Sequence, residues 1–247
     1  MLNLNNRIAL VTGAGRGMGL GIARKLAEQG ARVAINDYFQ DRAEQAVDEL
    51  TKSGLKAMAV PGDVTNMESV QAIQSKLQSV WGEVEILVNN AGIPADGMQL
   101  IPFRDMPISD WDRYLNINLK AVLNCSKVFI EPMCTAKRGR IITIVSEGWR
   151  SGEVGMGISL YAAGKSASVG FSKQLSGEVA PLGITVNCIS LGMMDNVDGA
   201  ERMAKYIPTR RLGKADDVGA CVVYLASDEA SWLTGQCIPL NGGVITA

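Results

Sequence analysis

Short β-branched runs alternate with amphipathic helical patterns along nearly the whole chain, and that alternation constrains the fold more than any single residue does. RIALVT is followed by helical spacing over residues 20–29, RVAIND by 41–52, KAMAV by 67–81 and VEILVNNAG by 109–133. RIITIVS then precedes 161–180, ITVNCIS precedes helices near 200–206 and over 215–226, and QCIPLN ends the series. Parallel strands must be joined by crossovers, and helices serve as those crossovers, so the alternation predicts a parallel sheet with helices on both faces. The expected fold is a doubly wound α/β Rossmann-type domain, mostly a seven-stranded parallel sheet, formed as one unit by residues 1–247. No linker, repeat or low-complexity segment breaks the pattern. Three stretches lack periodicity: 93–108, 147–160 and 191–199. Each follows a strand and so emerges at the carboxyl edge of the sheet, where open α/β folds bind their ligands.

The first strand runs into VTGAGRGMGLG, with glycine at every second position from Gly13 to Gly21. Its spacing is T-G-x-x-x-G-x-G from Thr12 to Gly19; G-x-G-x-x-G is not met, because Met18 stands at its last position. At a strand-to-helix turn, missing side chains let a pyrophosphate reach the unpaired N–H groups and partial positive charge of the helix start. Gly13, Arg16, Gly17, Met18 and Gly19 are therefore candidate dinucleotide contacts, with an ordinary structural turn as the other reading. Asp37 ends the second strand, where a carboxylate can accept from the adenosine ribose hydroxyls and repel a 2′-phosphate. That favours NAD over NADP, although Arg16 could meet a 2′-phosphate.

Composition removes several chemistries. There is no histidine, which excludes serine–histidine triads, histidine-ligated zinc and a histidine general base. Cys125, Cys134, Cys188, Cys221 and Cys237 are an odd, scattered set without a C-x-x-C pair, which reads as free thiols and leaves no expected metal site. A formal charge of -1 and the lack of a basic run argue against a nucleic-acid partner. No apolar run reaches eighteen residues and the amino terminus does not read as a secretion signal, so no membrane role and a cytoplasmic location are expected.

Without histidine, another group must move any proton. In YAAGK, Tyr161 and Lys165 stand four apart and share a helix face. A tyrosine with pKa near 10 is a poor base at neutral pH. An ammonium some 4 Å away would favour phenolate by about 4 kcal/mol at an effective dielectric near 20, roughly three pKa units before burial subtracts from it. Tyr161 could then accept a proton from an alcohol or give one to a carbonyl.

With TGAGRGMG, Asp63-Val64, NNAG at Asn89 to Gly92, NINL carrying Asn118, Ser146 after the fifth strand, and YAAGK, the chain resembles the short-chain dehydrogenase/reductase family over essentially its whole length. The resemblance implies Asn118, Ser146, Tyr161 and Lys165 as the catalytic set. Ser146 would bond the substrate oxygen, Lys165 would hold the nicotinamide ribose, and Asn118 would support a water that relays the proton. It also implies cofactor contacts from Asp63, Val64, Asn90, Ala91, Gly92, Gly192, Met194 and Asn196. Leu191-Gly192 replaces the usual Pro-Gly, Asn196 stands where threonine is common, and Asn241 where aspartate is.

The segments around the expected site are apolar. Trp149, Met156 and Met193 are candidate pocket residues, which suggests a secondary alcohol or ketone that is apolar and possibly cyclic. Arg104 and Arg150 are more consistent with solvated side chains than with a carboxylate receptor. Resemblance also keeps open an NADPH-dependent 3-oxoacyl-(acyl-carrier-protein) reductase. A dinucleotide-sensing regulator without turnover is the reading of a different class. The resemblance further implies a homotetramer, or a dimer, packed through 109–133 and 161–180.

Overall fold

The computed structural model describes residues 2–152, 156–197 and 199–246. Residues 153–155 of the expected pocket segment, and Asp198, lie outside the described residues. Seven strands form one sheet: β1 (Ile8–Val11), β2 (Arg32–Ile35), β3 (Ala57–Ala59), β4 (Ile86–Asn89), β5 (Gly139–Ser146), β6 (Ile184–Leu191) and β7 (Cys237–Leu240). Their order across the sheet is β3-β2-β1-β4-β5-β6-β7, and every pairing is parallel.

The strands are apolar runs because both faces of the sheet are covered. All four residues of β1 are buried, as are the first seven of β5 and of β6. On one face lie α1 (Gly17–Glu28), α2 (Gln40–Lys52) and α7 (Ala215–Ala226), which bury Ile22, Leu26, Ala43 and Val218 against Val11 and Ile35. On the other lie α3 (Met67–Val80), α5 (Ala121–Ala136) and α6 (Ser159–Val179), with Val70, Phe129 and Leu175 packed against Leu10 and Val186. Among the described residues no helix is long and apolar enough to cross a membrane.

The chain builds outward from β1 to β3, then returns to place β4 on the other side of β1. The loops after β1 and β4 diverge there, which opens a crevice at the carboxyl edge. The glycine motif follows β1 and NNAG overlaps the end of β4, so both sequence motifs meet at this crevice.

Three local expectations change. The first helix starts at Gly17, not at residue 20, so the later glycines lie within its first turns. The helix expected over 109–133 is broken: α4 (Trp111–Leu115) passes into a wide π-turn at Asn116–Lys120 before α5 begins. Residues 200–206 form tight 3₁₀ turns instead of an α-helix.

Candidate active site and cofactor cleft

The glycine loop is shaped by close backbone approach. Gly13 has φ +61°, and a Cβ there would lie 3.0 Å from the Cα of Ala91. A Cβ on Gly19 would collide with the Gly13 carbonyl and come within 2.7 Å of the Asn90 amide nitrogen. A Cβ on Gly17 would meet nothing within 4 Å, so open space lies beside the start of α1. No acidic side chain occupies the first turn and no side chain caps it. The N–H groups there are left for an anion, and the cradle fits a dinucleotide pyrophosphate.

NNAG holds this loop in place. Asn90 Nδ2 donates to the carbonyls of Thr12 and Gly13 at 2.9 and 3.1 Å. The Asn90 and Ala91 amides both donate to Thr12 Oγ1, at 3.0 and 3.1 Å. Asn90 therefore braces the cleft through both its side chain and its backbone N–H.

Asp37 lies two residues beyond β2 and is 7% exposed. One oxygen accepts from the Gly15 amide and the other from Phe39, each at 3.1 Å. The carboxylate thus sits on the glycine loop itself. Arg42 stacks its guanidinium 4.2 Å over the Phe39 ring, and Arg16 is exposed. Farther along the edge, Asp63 Oδ1 accepts from Thr65 N and Oγ1, and Val64 offers its carbonyl to Asn124. Asn36 carries no motif of its own, yet its side-chain amide donates to the carbonyls of Val60 and Gly62 while its backbone carbonyl accepts from the Ala14 amide.

Two of the four catalytic candidates, Lys165 and Asn118, meet at Gly92. A Cβ there would fall 2.5 Å from Lys165 Nζ and 2.9 Å from Asn118 Oδ1, so both polar groups face one glycine. Lys165 is buried and donates to the Ile144 carbonyl at 2.8 Å. Burial pushes its pKa down to about 8, with nearby Cys188 opposing the shift. Its ammonium lies 5.7 Å from the centre of the Tyr161 ring. Tyr161 itself packs beside Leu160 against Tyr114, Met106 and Ile101.

The π-turn explains Asn118. A wide turn leaves helix carbonyls without their usual partners, and such turns recur at functional sites. Here Asn118 Nδ2 takes the Tyr114 carbonyl at 3.0 Å, and Ser168 Oγ donates to the Asn118 carbonyl at 2.6 Å. Asn118 Oδ1 is left buried with no partner. A buried acceptor without a donor is unfavourable by about 1–3 kcal/mol, so a water or ligand hydroxyl fits there. Gly164, where a Cβ would lie 2.7 Å from Asn118 Cβ, lets α6 come this close. Gly164 and Ser168 are four apart on the same helix as Lys165, a signal legible in the sequence but not used.

Ser146 ends β5, and its Oγ accepts from Gly148 N at 3.3 Å. Beyond it, a cavity of about 380 Å³ is lined by Pro102, Phe103, Gly148, Gly157, Ile158 and Ala162 among others. Of the pocket candidates, Met156 is half-buried beside Gly157. Met193 lines a separate cavity of about 220 Å³ with Met194, Ile207 and Leu240. Trp149 turns inward: its Nε1 donates to Ser190 Oγ at 3.1 Å, and its ring packs with Val145 and Val169. Met194 is buried in the core, where its sulfur backs Gly213, while Gly192 is half-buried and Asn196 exposed. Arg150 pairs with buried Glu147 at 3.0 Å, and Arg104 is 86% exposed. Among the described residues no cluster of cysteine and carboxylate side chains could hold a metal.

Similarity to known proteins follows the same lines. A family model described as Enoyl-(Acyl carrier protein) reductase matches residues 13–245. The chain is 39% identical over 251 residues to Nodulation protein G of Rhizobium sp. (strain N33), covering 99% of each. It is 37% identical to the 3-oxoacyl-(acyl-carrier-protein) reductase FabG of Escherichia coli (strain K12), over 98% of this chain and 99% of that one. A solved gluconate 5-dehydrogenase from Burkholderia cenocepacia J2315, in complex with NADP and tartrate, superposes with a TM-score of 0.90 at 30% identity, covering 100% of this chain and 98% of the other.

Proposed function

The chain belongs to the short-chain dehydrogenase/reductase family of NAD(P)-using oxidoreductases, and we propose that it interconverts an apolar secondary alcohol and its ketone with NAD(H). The observation that carries this reading is the buried Lys165 ammonium, set with the unpartnered Asn118 Oδ1 around Gly92 and one helical turn from Tyr161. A sensor that only bound a dinucleotide would have no use for a desolvated cation beside a phenol.

Bound nicotinamide supplies or takes the hydride. Tyr161 exchanges the proton with the substrate oxygen, and Ser146 donates a hydrogen bond to that oxygen. Lys165 favours the phenolate form and binds ribose hydroxyls, while Asn118 Oδ1 accepts from a water that passes the proton onward. Acid–base assistance of this kind contributes about 10²- to 10⁴-fold. Gly13, Gly17, Met18 and Gly19 take the pyrophosphate. Asp63, Val64, Ala91, Gly92, Gly192, Met194 and Asn196 serve the cofactor through side chains or backbone.

NAD is favoured because Asp37 is fixed on the glycine loop, where a 2′-phosphate would meet a largely buried carboxylate. Substrate apolarity is supported by the larger cavity's lining, which is uncharged among the described residues, and by Phe103, Leu100 and Ile108 exposed along its neighbouring loop. A second reading, 3-oxoacyl-(acyl-carrier-protein) reductase, is favoured by the 37% identical relative. We take residues 1–247 to act as one catalytic unit, assembled as a homotetramer. Turnover with NADH and NADPH over a graded set of cyclic ketones and a 3-oxoacyl thioester decides between the readings. NADPH preference with thioester activity selects the second.

A further inference from the structure

Beneath α6, on the side of the site away from the cavity, two cysteines face each other. Cys188 in β6 pairs in register with Cys237, the first residue of β7. Directly paired residues of neighbouring parallel strands project to one face, and their Cα atoms stand about 4.8 Å apart. That separation lies inside the range of about 4.4–6.8 Å that a disulfide spans. Both thiols belong to the apolar cluster of Val145, Val169 and Trp149, with Cys188 buried and Cys237 half-buried. Solvent therefore reaches the pair from the β7 side.

The two sulfurs differ in kind. Closeness to the Cys237 thiol, with positive charge from Lys165 and Lys173, holds Cys188 below the usual thiol range although burial opposes this. Cys237 is pushed up by its nearness to Cys188 and by burial. Of the two sulfurs, Cys188 is the one whose surroundings favour the thiolate. The influence also runs the other way, since Cys188 helps to sustain the charge on Lys165.

We propose that Cys188 and Cys237 form a dithiol that a hydroperoxide closes to a disulfide, lowering turnover through Lys165. The Cys188 thiolate attacks the outer peroxide oxygen, the O–O bond breaks, and the departing oxide takes the Cys237 proton as water or an alcohol. Cys188 is then a sulfenic acid. The Cys237 thiolate then attacks the Cys188 sulfur, the S–O bond breaks, and hydroxide leaves and takes a proton from solvent to become water. The two thiols have lost two electrons, and the peroxide has gained them. Lys165 thereby loses the anion that opposed the effect of burial, and its ammonium is less favoured.

The disulfide itself needs nothing from the proposed reaction; its effect on turnover rests on the role of Lys165 given above. The test treats the full-length protein with hydrogen peroxide at pH 7.5, quenches with an alkylating reagent, maps peptides by mass spectrometry and measures NADH turnover in parallel. The expected result is a Cys188–Cys237 cross-link, two thiols fewer than the original five, and a loss of turnover that dithiothreitol reverses. Cys188→Ser should keep its turnover through the treatment, Cys237→Ser should form no cross-link at Cys188, and Cys134→Ser should behave as wild type. Oxidation confined to other cysteines, no loss of thiols, or a mapped cross-link with unchanged turnover would overturn the proposal. If untreated protein has no turnover, the proposed function fails instead, and the peptide map alone decides the dithiol.

Discussion

Lys165 donates its buried ammonium to the Ile144 carbonyl at 2.8 Å, and no carboxylate among the described residues contributes to its charge state. Its pKa, pushed down by burial to about 8, lies below the ordinary 10.5. Between those two values the unfolded chain binds a proton that the folded chain has released, so stability rises with pH across that window. Below pH 8 the whole penalty, about 3 kcal/mol, is present. Urea unfolding of wild type and Lys165→Met at pH 7.5 and 10 isolates this group. Wild type should gain about 2 kcal/mol on the variant over that interval, and parallel pH dependences would mean that the amine is solvated.

Gly92→Ala should disable the site with little effect on the fold. Its Cβ would press on Lys165 Nζ and Asn118 Oδ1, two side-chain ends, and not on backbone. Displacement of catalytic groups by about 1 Å can cost about 10²-fold in rate. A drop of that order in kcat, with a melting temperature within a few degrees of wild type, is expected; wild-type kcat would remove Gly92 from the site.

Asp37→Ser tests the cofactor choice. Removing the carboxylate from the glycine loop should lower kcat/KM for NADH and raise it for NADPH, shifting their ratio by about 10²-fold or more. An unchanged ratio would move the choice to Arg16 or Arg42.

Much of this was legible before any coordinates. The seven strands lie where β-branched runs predicted them, because a strand covered on both faces must be apolar throughout. The glycine turn and NNAG meet at the switch point for the same topological reason. The break at Asn116–Lys120 was not legible. NINL has good helical spacing, and it is the local carbonyl of Tyr114 together with the tertiary partners Gly164 and Ser168 that accommodates a wide turn there. Trp149 read as a pocket wall from its position after Ser146, but the indole N–H needs an acceptor and finds Ser190 within the fold. Burial of Lys165 was equally hidden, since a lysine on an amphipathic helix ordinarily reaches solvent.

The opposite edge of the sheet carries a stability prediction. Arg7 and Arg140 are buried there, and Asp228 lies 3.6, 3.1 and 3.4 Å from Arg7, Arg138 and Arg140. Asp228→Asn leaves three guanidiniums with Glu85 alone, which should destabilise the fold by about 1–3 kcal/mol, tempered by the partial exposure of Asp228. Denaturant midpoints measure this; turnover at 25 °C should be unaffected because the cluster lies far from the carboxyl edge.

The proton-transfer role of Tyr161 beside Lys165 is tested most directly by kcat of wild type and Tyr161→Phe with saturating NADH and a cyclic ketone, alongside NADH binding by fluorescence. The expected result is a loss of about 10²- to 10⁴-fold in kcat, with NADH affinity retained. Wild-type turnover in the Phe variant, or NADH binding by wild type with no oxidation over the whole ketone set, would contradict it.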